Sequence, residues 1–148
     1  MRSVRMLMLV TLVAGFAQMA RGQDAAAQRD QLRSAVQGIC PVSGNKLGDH
    51  GAPIKVQIGE ETVFLCCKGC LKGKVSAQHW ATIHANMAKA QGKCPVMKKS
   101  LPASPKWTIV EGQVVYVCCP PCIAKIKADP TTHLQTVDAY YTASLQSP

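Results

Sequence analysis

The chain has 148 residues, a formal net charge of +9, eight cysteines and only 5% aromatic residues. That length holds one ordinary domain or two very small ones, and the scarcity of aromatics excludes a large aromatic core. Only eight acidic residues occur, none suggestively paired, and no Ser/His/Asp arrangement or phosphate loop is visible, so no enzyme activity of the hydrolytic or transfer kind is expected.

The N-terminus reads as a secretory signal peptide over residues 1–22. Arg2 and Arg5 supply its charged start, and residues 6–17 its apolar stretch. Ala20-Arg21-Gly22 offers small residues at the positions a signal peptidase requires, which favours cleavage before Gln23, with a cut after Ala17 as the alternative. The apolar run is shorter than the ~18–20 residues a membrane span needs. No cysteine stands at the cleavage point, which disfavours a lipid anchor. The expected location is periplasmic or secreted, with no membrane span after cleavage. Losing Arg2, Arg5 and Arg21 lowers the charge from +9 to about +6. The lysines form no run with interleaved aromatics, and an exported protein rarely meets nucleic acid, so no nucleic-acid partner is expected.

Residues 23–38 form a polar helix or linker. From Ile39 onward the chain repeats itself at a period of about 52–54 residues. Cys40-Pro41-Val42-Ser43-Gly44 is matched by Cys94-Pro95-Val96-Met97-Lys98. Val63-Phe64-Leu65-Cys66-Cys67-Lys68-Gly69-Cys70 is matched by Val115-Tyr116-Val117-Cys118-Cys119-Pro120-Pro121-Cys122. Every cysteine of one copy has a counterpart in the other. The two units run over residues 39–91 and 92–148.

Each copy reads as a Cys-Pro-Val turn, a hairpin, a cysteine cluster and a helix, so the fold class is α+β with two tandem small units. Residues 54–58 alternate apolar and polar side chains, Gly59-Glu60-Glu61 turns, and 62–65 returns. Residues 107–110 and 113–117 flank Glu111-Gly112, a two-residue hairpin signal. Helices are predicted over 70–90 and 122–127, with a break at Asp129-Pro130 and a further helix over 131–145.

Cysteines where a strand meets a helix N-terminus share the positive end of the helix dipole, which favours thiolates. Lys68, Lys72 and Lys74 crowd the first cluster; Lys125 and Lys127, with Lys98 and Lys99, can approach the second. Cys66 and Cys70 stand in C-x3-C relation and Cys67 and Cys70 in C-x2-C, repeated by Cys118, Cys119 and Cys122. Either spacing lets two sulfurs meet one ion, and the hairpin returns Cys40 or Cys94 as the remote ligand. Four sulfurs suit tetrahedral zinc, three suit copper(I). The candidate metal ligands are thus Cys40, Cys66, Cys67, Cys70, Cys94, Cys118, Cys119 and Cys122.

Cys-Pro-Val-Ser-Gly, a hairpin, Phe-Leu-Cys-Cys-Lys-Gly-Cys and a helix resemble the TRASH/YHS-type heavy-metal-binding domains, and Asp129-Pro130 followed by His133-Leu134 is similar to their ending. The resemblance covers most of residues 40–140, in tandem. It implies small zinc-knuckle, treble-clef-like units of metal handling, with Cys40, Cys66 and Cys70 as one ligand set and Cys94, Cys118 and Cys122 as the other. A metal-trafficking or envelope protein is the partner it suggests. Such knuckles commonly carry a further cysteine three residues after the first; this chain has Ser43 and Met97 there. Cys67 and Cys119 would then supply a fourth sulfur or a redox gate, and Met97 a thioether to copper(I) or core filler. Of the four histidines, each read first as a surface or packing residue, His79 and His133 are the better-placed ligands.

Two alternatives remain at this level. Cys67-Lys-Gly-Cys70 and Cys119-Pro-Pro-Cys122 are CxxC motifs, as in thiol–disulfide oxidoreductases. Eight cysteines in an oxidising compartment can also be a disulfide framework stapling a small secreted domain.

Overall fold

The computed structural model describes residues 25–147. The expected signal segment and both candidate cleavage points lie outside the described residues. The chain divides after Gln31, and the packing below concerns the body from Leu32 onward.

Residues 25–37 form helix α1. A Cys-Pro knuckle turn follows, closed by Cys40 N–H to Asn45 carbonyl (2.8 Å) and Gly44 N–H to Cys40 carbonyl (2.9 Å). Strands β1 (Ile54–Ile58) and β2 (Glu61–Leu65) then pair antiparallel, with Ile54 opposite Leu65 and Ile58 opposite Glu61. Gly59, at φ 62°, supplies the backbone sign that a two-residue turn requires.

The second copy repeats this order. Its knuckle closes through Cys94 N–H to Lys99 carbonyl and Lys98 N–H to Cys94 carbonyl, both 2.8 Å. Strands β3 (Lys106–Val110) and β4 (Gln113–Val117) pair with Lys106 opposite Val117. Glu111 and Gly112 turn the hairpin with φ of 51° and 76°, the two positive values of a type I′ turn. The architecture is α+β: four α-helices and two antiparallel hairpins among the described residues, in two tandem small units.

The first helix after a cluster differs from the reading of the sequence. Instead of an α-helix from Cys70, a 3-10 turn spans Lys68–Lys72, and helix α2 begins at Ala77 and runs to Gln91. Gly73 is extended and sits so close to Val42 that a side chain there would collide with it. Ser76 then caps α2, its hydroxyl accepting from His79 N–H. The chain must leave the helical path to clear the knuckle, and it re-enters at the first good cap. In the second copy, helix α3 (Pro121–Ala128) does start at the cluster. Asp129 ends it and caps helix α4 (Pro130–Gln146) by accepting from Thr132 N–H at 3.2 Å.

The larger hydrophobic cluster draws on Val36 of α1, Ile83 of α2, Val115 and Val117 of β4, Ile126 of α3 and Val137 of α4. Helix α2 packs on α4, and Thr62 N–H reaches Gly112 carbonyl at 2.7 Å, joining the two hairpins. Arg33 adds an ion pair to Asp138 of α4 at 3.1 Å. The smaller cluster consists of Cys40, Leu65, Cys66 and Cys70. Three of its four buried residues are cysteines, too little apolar area for a unit of this size to stand on alone.

One glutamine just ahead of each copy ties its knuckle to its second strand. The amide nitrogen of Gln37 donates to the carbonyls of Ile39 (2.8 Å) and Phe64 (2.7 Å), and its oxygen accepts from Phe64 N–H (2.8 Å). Gln91 repeats all three bonds, to Lys93 carbonyl (2.9 Å), Tyr116 carbonyl (2.7 Å) and Tyr116 N–H (2.9 Å). Among the described residues no helix is long and apolar enough to cross a membrane.

Candidate metal centres

The knuckle turn delivers Cys40, the end of β2 delivers Cys66, and the 3-10 turn delivers Cys70. Their three Sγ atoms all lie within 4.8 Å of one another, and all three residues are buried. Cys66 and Cys70 are 3.6 Å apart. In the second copy Cys94, Cys118 and Cys122 form the same triad, with Cys118 and Cys122 3.9 Å apart. Sulfurs from segments far apart in sequence therefore meet at one point, twice. A tetrahedral ion with Zn–S bonds of about 2.3 Å spaces its sulfurs about 3.8 Å apart, and a trigonal ion with similar bonds about 4.0 Å. The donor set fits a thiophilic ion. All eight cysteines are free thiols.

Cys67 and Cys119 stand beside the triads rather than in them. Cys67 Sγ is 3.9 Å from both Cys66 and Cys70. Cys119 Sγ is 3.7 Å from Cys118 and 3.3 Å from Cys122. Each is half-buried, close to two sulfurs of its triad but outside the group that includes the knuckle cysteine.

The thiols differ in proton affinity within each cluster. Burial pushes Cys40 up, but the backbone amides of Ser43, Cys66 and Val42 and the Ser43 hydroxyl outweigh it and bring the thiol down to about 6. Cys94 has the same balance: burial raises it, and the amides of Met97, Cys118 and Val96 carry it below its ordinary value. Burial, with hydrogen bonds from Cys66 and Cys40, pushes Cys70 up to about 12, and burial raises Cys122 as well. The Gly69 amide and the neighbouring thiol of Cys66 lower Cys67; the neighbouring thiols of Cys122 and Cys118 lower Cys119. Each cluster thus pairs a thiol lowered by backbone N–H groups with a deep thiol raised by burial. In the first unit those groups lie mainly in the knuckle, not at the start of an α-helix.

The other sequence candidates fall elsewhere. Ser43 Oγ lies 3.3 Å from Cys66 Sγ, a hydrogen-bonding partner of the triad. Met97 is 46% exposed and fills no core position. His79 and His133 join neither triad; the His79 ring packs on Gly44, and the Nδ1 atoms of both histidines are buried without a hydrogen-bond partner. His84 is structural, held by Glu61 and Tyr116. Lys68, Lys72, Lys74, Lys98, Lys99, Lys125 and Lys127 are exposed.

Gln37 and Gln91 escaped the reading of the sequence. A signal was present: Gln37-Gly38 and Gln91-Gly92 stand three and two residues before the matched cysteines in both copies. No family model, curated protein or solved structure matches the chain.

Proposed function

We propose that this is an exported, non-enzymatic protein that binds one thiophilic ion, zinc or copper(I), in each of two thiolate sites, in the manner of the TRASH/YHS-type domains it resembles. Cys40, Cys66 and Cys70 hold one ion, and Cys94, Cys118 and Cys122 the other. Cys67 and Cys119 supply the fourth sulfur where the ion demands four. The observation that carries this reading is the convergence of three sulfurs from two separate segments, in both copies, at spacings suited to one ion.

The role is metal handling in the periplasm or outside the cell, with a metal-trafficking or envelope protein as partner. Export is supported by the pattern of the first 22 residues. A site of this kind also contributes folding free energy, since a preformed ligand cage does not exist in the unfolded chain. The first unit, whose small cluster is largely cysteine, draws most on that contribution.

A second reading rests on the CxxC pairs. Cys119 and Cys122 lie 3.3 Å apart, a half-buried thiol lowered and a deep one raised, which is the asymmetry of a thiol–disulfide enzyme.

The test is purification of the full chain under reducing, anaerobic conditions, followed by elemental analysis and thiol titration. Two ions per chain, falling to one in Cys70→Ser and to one in Cys122→Ser, are expected. A fully reduced wild-type protein that carries no zinc or copper and takes up neither overturns the reading. Catalysed insulin reduction would favour the enzyme, and four disulfides with no metal the stapled secreted domain.

A further inference from the structure

We infer that Gln37 and Gln91 are positioning residues of the two metal sites, holding the sulfur-bearing segments together before an ion arrives; this rests on the metal-binding reading above. Each side chain takes the place of a strand residue. Its amide makes the two backbone bonds that a third strand would make to Phe64 or Tyr116, and a third bond to the carbonyl of Ile39 or Lys93.

Those partners stand one or two residues before the ligands. Ile39 precedes Cys40 and Lys93 precedes Cys94. Phe64 stands two residues before Cys66 and Tyr116 two before Cys118. One planar amide therefore fixes the distance between the knuckle sulfur and the strand sulfur in each triad. Gln37 is fully buried and Gln91 is 1% exposed. Both N–H donors and the carbonyl oxygen are used, so no other side chain of that size reproduces the pattern. Glutamate lacks the donors and leucine lacks both donors and acceptor. Gly38 and Gly92, at φ of 77° and 59°, turn the chain directly after each glutamine so that it can reach back.

The two copies differ at many other positions around the cluster, including Ser43 against Met97, Gly44 against Lys98 and a 3-10 turn against an α-helix. The glutamine network is the same in both to within about 0.1 Å. Ligands held in place need no ordering when the ion binds, and loss of groups that orient metal ligands typically lowers affinity about 10–100-fold.

The experiment uses the full, reduced chain and cadmium as the probe, with binding read by chelator competition and by the thiolate-to-cadmium absorption band. Gln91→Leu is placed in a Cys40→Ser background, where only the second site binds, and Gln37→Leu in a Cys94→Ser background. Each is expected to weaken its own site about 10–100-fold, with a reduced thiolate band. The crossed combinations, Gln91→Leu with Cys94→Ser and Gln37→Leu with Cys40→Ser, are expected to leave the surviving site unchanged. Gln→Met variants, closest to glutamine in length and shape, cover the case in which a leucine variant does not fold, and are expected to lose affinity by a similar factor. A merely structural role lowers the melting temperature and leaves the affinity of the folded site and its band unmoved; that result overturns the inference alone. Absence of cadmium binding by the wild-type chain overturns the metal-binding reading as well.

Discussion

His84 Nε2 lies 3.1 Å from Glu61 Oε2, a hydrogen-bonding contact in which the carboxylate is only 9% exposed. The hydroxyl of Tyr116 donates to the carbonyl of His84 and lies 2.9 Å from its Nδ1, while Trp80 and Trp107 pack on the imidazole at centroid distances of 5.6 and 5.7 Å. Glu61 comes from β2, His84 from α2, Trp107 from β3 and Tyr116 from β4, so this one ring fastens the first hairpin to the second. His84→Ala leaves a nearly buried carboxylate without its partner. A loss of about 2 kcal/mol in urea unfolding is expected, the cost of leaving a nearly buried acceptor without its hydrogen-bond partner. Tyr116→Phe removes the hydroxyl alone and costs about 1 kcal/mol. Both variants keep two ions per chain. Loss of metal in His84→Ala would give the histidine a role in the site that its position does not suggest.

Gly44 is the tightest point of the first knuckle. Its φ is 75°, and a Cβ built there would lie 2.6 Å from His79 Nε2. Gly44→Ala combines left-handed strain with a clash against the first turn of α2. A destabilisation of about 2 kcal/mol is expected. Gly48→Ala is the control, since its φ of 97° carries the strain but nothing lies within 4 Å; it costs about 1 kcal/mol. Equal losses in the two variants, measured by chemical denaturation, would show that the His79 contact adds nothing.

Most of the architecture was legible because the duplication supplied two readings of each element. The alternation Ile-Lys-Val-Gln-Ile gave β1 to the residue, and Glu111-Gly112 gave the second hairpin turn. The convergence of Cys40 with Cys66 and Cys70 followed from the hairpin between them. The helix expected from Cys70 did not form because its cause is a tertiary approach, Gly73 against Val42, that no local pattern encodes. Ser76, the cap that restarts the helix, is a sign that the sequence does carry. The roles of Gln37 and Gln91 were hidden for a different reason. A buried glutamine pairing with a strand leaves no periodicity, and only its recurrence beside both knuckles marks it.

The two adjacent cysteines of each copy should behave unequally. Cys66 belongs to the triad and is buried, whereas Cys67 touches only two of its sulfurs and is half-buried. Cys66→Ser is expected to abolish binding at the first site. Cys67→Ser is expected to retain a stoichiometric ion there. With copper(I), which accepts three thiolates, the affinity should change by less than about threefold; with zinc, which prefers four ligands, it should fall by about tenfold or more. Titrations of both ions into Cys67→Ser and Cys119→Ser settle the coordination number at each site. An equal and complete loss in Cys66→Ser and Cys67→Ser would show that the triad is not the binding unit.

Ion uptake should also release protons, with a sign fixed by the deep thiols. Burial pushes Cys70 up to about 12 and raises Cys122, so near neutral pH both carry protons in the metal-free protein. Cys40, brought down to about 6, is already a thiolate above that pH. Binding must expel the Cys70 proton from the first site at any pH below 12, so affinity falls as pH falls, by about tenfold per pH unit for each proton displaced. Below pH 6 Cys40 is protonated too, and one further proton must leave. The plot of log affinity against pH for the first site is therefore expected to steepen by about one unit of slope as pH drops through about 6. Chelator competition in a Cys94→Ser chain, corrected for the chelator's own titration, measures that slope directly. An affinity independent of pH between 6 and 8 is incompatible with a protonated Cys70 serving as a ligand.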